Sequence, residues 1–165
     1  DTADVYGPRG VSEEYLGKAI AGKDRSEIVI ATKYASPMGE GDLKRGASRR
    51  YIMNAVEASL KRLGTDYIDL YQQHVPDAET PIEETLRALD DLVHQGKVRY
   101  LGSSNFSAWQ LVDADWTATS NGLNRFATAQ NQYSLLDRRL EREVIPEIGR
   151  ASCRNECRSR RSPYH

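Results

Sequence analysis

The alternation of short apolar runs with longer segments of helical period constrains this chain most. Four runs, Ile28–Thr32, Tyr67–Tyr71, Val98–Gly102 and Phe126–Asn131, are too short for helices, and most are bounded by turn residues or helix signals. In the clearest intervening segment Ser48 stands at a cap position, Ile52, Ala55, Val56, Leu60 and Leu63 form one stripe, and Gly64 ends it. After the second run, Thr80-Pro81-Ile82-Glu83 predicts an N-cap, a proline at the first helical position and a capping-box glutamate. Leu86, Leu89, Leu92 and Val93 then form the apolar face, and Gly96 stops the helix. Shorter helices are predicted near 12–21, 107–117 and 138–147, with Glu13 and Glu14 well placed against the dipole of the first. Such alternation predicts an α/β fold of about four to five βα units feeding a parallel sheet through right-handed crossovers.

Barrel and open doubly wound sheet share that pattern. No G-x-G-x-x-G follows a strand, and Gly39-Glu40-Gly41 lies in a polar loop, so the dinucleotide fingerprint of the open fold is missing and a barrel is favoured. In a parallel barrel the strand ends share one face, where side chains distant in sequence converge. Lys33 follows the first run, His74 the second, and Asp1, Asp4 and Tyr6 precede the first helix. A lysine beside a buried wall needs an anionic partner or a shifted pKa, and Asp1 or Asp4 can supply the charge. Its ammonium favours the ionised form of a nearby phenol, which makes Tyr6 a better proton donor, and His74 can orient or polarise a carbonyl oxygen. Each residue alone is commonly structural; all of them together describe protonation of an oxygen that is gaining negative charge.

Other chemistries fit less well. His74 and Asp77 have no second histidine at ligand spacing, and His94 belongs to a helix, so no metal site is expected. Asp1 and Asp4 precede the same helix and do not form a glycosidase pair on neighbouring strands. Asn105-Phe-Ser107 is formally a glycosylation sequon, but Ser107 reads better as a helix N-cap, and Trp109 and Trp116 read as packing residues.

The chain of 165 residues carries a formal charge of −1. Five arginines and one glutamate from Arg150 onward contribute +4 of this, leaving −5 on residues 1–149. Both cysteines, Cys153 and Cys157, fall in that basic tail, where neither a disulfide framework nor a zinc site is expected. The Arg158-to-Arg161 cluster lacks interleaved aromatics, so no nucleic-acid partner is expected. There is neither an apolar run of spanning length nor a leader pattern, and the expectation is a protein of the cytoplasm with no membrane partner.

Four segments together resemble the aldo-keto reductases: Asp1-Thr-Ala-Asp-Val-Tyr6-Gly, Ala-Thr-Lys33, Asp-Leu-Tyr-Gln-Gln-His74-Val-Pro-Asp and Gly-Ser-Ser104-Asn105-Phe. The resemblance runs from Asp1 to about Pro146, in family order and spacing. It implies a (β/α)8 TIM barrel, here partial, that reduces aldehydes or ketones to alcohols with NADPH and no metal. It implies a catalytic tetrad of Asp1, Tyr6, Lys33 and His74, with Tyr6 as general acid, Lys33 paired with Asp1, and His74 positioning a small-molecule carbonyl substrate. It also implies that Ser104, Asn105 and Gln130 hold the nicotinamide carboxamide, whose donor and acceptor pattern suits a hydroxyl and amides.

Against the family pattern, Asp1 stands without the strand that usually precedes it and is expected to fray. Residues 1–146 are expected to form the partial barrel. Residues 147–165 read as a basic tail foreign to the family, of the kind a frameshift or cloning artefact leaves. The family's basic residues for the adenosine phosphate and its nicotinamide-stacking aromatic fall outside the matching stretch, so NADPH rests on family habit. A half-barrel with two open sheet edges is expected to be marginal or prone to aggregation. The alternatives are a non-catalytic, cofactor-sensing subunit of the same fold and an inactive fragment.

Overall fold

A computed structural model describes residues 1–149. Four strands, β1 (Ala31–Tyr34), β2 (Ile68–Gln73), β3 (Val98–Ser104) and β4 (Phe126–Gln130), form one parallel sheet in the order β1-β2-β3-β4. Helices α1 (Val11–Ile20), α2 (Arg49–Leu63), α3 (Ile82–His94) and α4 (Ala108–Asn121) alternate with them. Successive parallel strands joined through helices give the expected partial (β/α)8 barrel.

Helix α2 follows its sequence pattern. The Ser48 hydroxyl accepts from the Tyr51 N–H, the predicted stripe is buried, and Gly64 closes the helix at φ 64°. That stripe packs with Ile30, Ile68, Leu89 and Leu101 in the main core, where each fully buried aliphatic side chain contributes about 1.5–3 kcal/mol.

Other expectations shift. Strand β1 runs three residues later than the apolar run predicts at its start and two later at its end. Ile28 closes a short turn over Arg25–Glu27, and the Ile30 N–H goes to the Asp69 carboxylate. Lys33 and Tyr34 pair instead with Gln72 and Gln73, so the polar ends of both strands belong to the ladder. Strand β2 starts one residue later and ends two later than its apolar run, β3 runs on to Ser104, and β4 stops at Gln130. In β4, Leu101 faces Phe126 while Gly102 faces Thr128, which leaves Ala127 as a bulge residue.

Thr80 does not cap α3. Its hydroxyl donates to Asp77 Oδ2 (2.8 Å), and Pro81, with ψ 134°, is itself the residue before the helix. Helix α4 extends to Asn121, beyond the predicted end. Its buried face is Ala114, Thr117 and Ala118, and Trp109 and Trp116, expected to pack, are 68% exposed on the other side. The helix predicted over 138–147 divides into a turn over Arg139–Glu141 and a helical stretch from 144 to 149. Cys153, Cys157 and the basic cluster lie outside the described residues. No helix among the described residues is long and apolar enough to cross a membrane.

Candidate active site

Strand alternation sends Thr32 toward the helices and Lys33 to the opposite face of the sheet, where its side chain is almost wholly buried. Both oxygens of the Asp1 carboxylate accept from Lys33 Nζ (2.9 and 2.8 Å), and so does the Thr2 carbonyl (3.0 Å). Asp1, rather than Asp4, is therefore the anionic partner.

The segment that carries Asp1 is bonded to β1. The Thr2 N–H donates to the Ala31 carbonyl (2.9 Å) and the Asp4 N–H to the Lys33 carbonyl (3.0 Å), so residues 2–4 lie along the outer edge of β1 without forming a regular strand. One of the two edges expected to be open is thus covered over part of its length, while β4 retains an exposed edge.

The phenol ring of Tyr6 lies 5.2 Å from Lys33 Nζ and meets the His74 ring edge-on, with centroids 5.5 Å apart. Burial pushes the Lys33 ammonium below its ordinary pKa, and the Tyr6 oxygen acts against that shift. The Asp1 carboxylate at 2.8 Å also favours the charged ammonium. For His74, burial and then the Lys33 charge lower the pKa, which favours the neutral ring. Its Nδ1 lies 3.2 Å from Ser36 Oγ, and its backbone N–H donates to the Tyr34 carbonyl (2.8 Å).

The three remaining predicted residues stand at the ends of β3 and β4. Asn105 Nδ2 donates to the His74 carbonyl (2.9 Å) and to Ser104 Oγ (3.0 Å), from a backbone at φ 61° that asparagine tolerates better than most residues. Gln130 Nε2 donates to Asp1 Oδ2 (3.2 Å), which joins this group to the Lys33 pair.

Two residues of the site escape sequence reasoning. Gln72, nearly fully buried, donates from Nε2 to Gln130 Oε1 (3.3 Å) and lies 3.5 Å from Asp1 Oδ1. Gly102 makes room for it, because a Cβ there would come within 2.9 Å of Gln72 Cγ and 2.5 Å of Thr128 Oγ1. Ser36 is the second. Polar residues within or just beyond an apolar strand are the available signal, but either face of the sheet can receive them.

A phenol beside a buried ammonium, next to a neutral imidazole, can donate to an oxygen that gains negative charge. The carboxamide and hydroxyl groups of Ser104, Asn105 and Gln130 provide the donors and acceptors that a nicotinamide carboxamide needs, so the residues present fit that cofactor.

Known proteins resemble this chain over most of its length. The family model described as the aldo/keto reductase family matches residues 1–152. The chain is 46% identical to versiconal hemiacetal acetate reductase of Aspergillus parasiticus, over 88% of this chain and 48% of the relative. It is 45% identical to an aldo-keto reductase of Bacillus subtilis, over 88% of this chain and 42% of that protein. An aldo-keto reductase of Alternaria alternata is 39% identical, with 88% and 46% covered. The chain spans about half the length of these curated relatives. With the sheet, the four motifs and the family match in agreement, the chain belongs to the aldo/keto reductase family.

Proposed function

We propose that this chain carries the proton-transfer machinery of an NADPH-dependent carbonyl reductase acting on a small aldehyde or ketone. The observation that supports it best is the buried Lys33 ammonium, bonded through both oxygens of Asp1 and set beneath Tyr6, whose ring in turn meets His74. Tyr6 gives its hydroxyl proton to the substrate oxygen as that oxygen becomes an alkoxide. Lys33 stabilises the phenolate left behind, and Asp1 keeps the ammonium charged and in place. Neutral His74 donates a hydrogen bond to the same oxygen and orients the carbonyl. Ser104, Asn105 and Gln130 hold the carboxamide of the nicotinamide, which, when bound, supplies the hydride to the carbonyl carbon.

The test follows NADPH oxidation with a panel of aldehydes and ketones, using the 165-residue chain and any longer protein that contains it. Tyr6→Phe should lower kcat/KM by about 10²–10⁴-fold, the usual worth of a general acid, with cofactor affinity retained. Turnover that survives Tyr6→Phe overturns the assignment. A wild type that binds NADPH and reduces nothing favours a cofactor-sensing subunit instead.

A further inference from the structure

Ser36 holds a place that the proton-transfer scheme leaves unexplained. Ala35, buried immediately after β1, has φ 91°, a left-handed backbone angle that a non-glycine residue adopts only under strain. Its carbonyl accepts from the Gly46 N–H (2.9 Å), and the Ser36 carbonyl accepts from the Tyr51 hydroxyl (3.4 Å), so both peptides of this turn are tied down. The turn brings the nearly buried Ser36 Oγ to 3.2 Å from His74 Nδ1.

We propose that Ser36 is a positioning residue that selects the tautomer of His74. In the neutral ring one nitrogen carries hydrogen and the other accepts. Among the described residues, His74 Nδ1 is the side-chain partner the structure gives to Ser36 Oγ. If the hydroxyl donates to Nδ1, its own hydrogen and the ring lone pair are both satisfied. If Nδ1 carries the hydrogen, the hydroxyl hydrogen needs another acceptor at a nearly buried position, which costs free energy. The first arrangement leaves Nε2–H as the ring's donor, the form required to hydrogen-bond a substrate oxygen. The strain at Ala35 is then part of what places Ser36. The inference builds on the carbonyl-reduction reading, which gives the Nε2–H donor its use.

Nitrogen-15 NMR of the histidine rings at pH 8 tests it on the chain as it stands, without cofactor or turnover. His74 should be predominantly Nε2-protonated in the wild type. Ser36→Ala should shift the tautomer ratio toward Nδ1–H by about fivefold, equivalent to about 1 kcal/mol for one neutral hydrogen bond, and Ser36→Thr should restore it. A wild-type ring protonated at Nδ1 overturns the proposal and needs no variant. So does a ratio that Ser36→Ala leaves unchanged, or one that Ser36→Thr fails to restore while the amide spectrum stays native. Because the readout is the ring itself, it separates failure of this inference from failure of the reductase reading, which the NADPH assay alone decides.

Discussion

Strand β1 separates two acid–base clusters of similar composition and opposite design. On one face Lys33, 1% exposed, meets Asp1, whose side chain is 43% exposed, and the phenol beside them is also 43% exposed. On the other face Glu13, with no exposed side chain, accepts from Arg62 Nε (2.7 Å) and receives the Thr32 hydroxyl. Asp4 belongs to this second cluster, buried near Arg62 and Tyr51. The first cluster keeps one partner in water, where the proposed function has a proton pass to substrate. In the second both carboxylates are buried and Arg62 keeps only a small exposed fraction, and its charges join α1 to α2 behind the sheet. Similar pairs of residue types thus become chemistry or scaffold according to which partner remains wet.

That contrast predicts unequal costs for deleting the two cations. Arg62→Met leaves Glu13 buried without its guanidinium and removes a cation whose charge acts on Asp4, and should destabilise the fold by about 3–5 kcal/mol. Lys33→Met strands only a carboxylate that can rehydrate, and should cost less than about 1 kcal/mol, while abolishing the turnover that the proposed function expects. Urea unfolding of both variants at pH 7 measures the difference. Equal losses would break the distinction between the faces.

A smaller effect concerns Asp4. Neither of its oxygens meets a donor at hydrogen-bonding geometry. Burial, and then the charge of Glu13, raise its pKa to about 7, although the charge of Arg62 pulls the other way. The folded state therefore holds a proton that the unfolded chain, with an ordinary value of 3.8, releases. Stability falls as pH rises between these two values and is flat above the higher one. Asp4→Asn mimics the protonated form, so it should be nearly neutral at pH 4 and stabilising by about 2–4 kcal/mol at pH 8. The difference between wild-type and variant unfolding free energies, followed from pH 4 to pH 8, isolates this group. A constant difference would show that Asp4 does not titrate in that window.

The sequence exposes these regions unevenly. Helix α2 is legible because one stripe, one cap serine and one terminal glycine agree, and each does in the structure what its chemistry suggests. The polar end of β1 is not, because Lys33 and Tyr34 join the sheet by pairing with Gln72 and Gln73, and no apolar signal marks that ladder. Trp109 and Trp116 mislead for a related reason: an aromatic on a helix announces burial only when the face that meets the sheet is known, and in α4 that face is Ala114, Thr117 and Ala118. Asp1, Tyr6, Lys33 and His74 could be picked out together because their motifs stand in family order; the residues by themselves leave Asp1 and Asp4 both open as partners of Lys33, and it is the resemblance that pairs it with Asp1, as the structure does. Ser36 and Gln72 act by direction of approach, which one-dimensional spacing does not encode.

The smallest expected effect lies where β1 turns from strand into site. Ala35→Gly relieves a positive-φ strain of about 1–3 kcal/mol. It gives back about 0.8 kcal/mol of buried methyl and about 0.4–1 kcal/mol of added unfolded-chain entropy. The net change in stability should fall between about −1 and +2 kcal/mol, since the gain and the two losses are of similar size. What glycine removes is the constraint on direction, so Ser36 should sample more orientations and the Nε2–H preference of His74 should weaken. Unfolding measurements paired with ring nitrogen spectra separate the two quantities. A large gain in stability with unchanged ring spectra would mean that the strain at Ala35 serves neither face of β1, whereas unchanged stability with a weakened tautomer preference would tie it to the wet, proton-exchanging face alone.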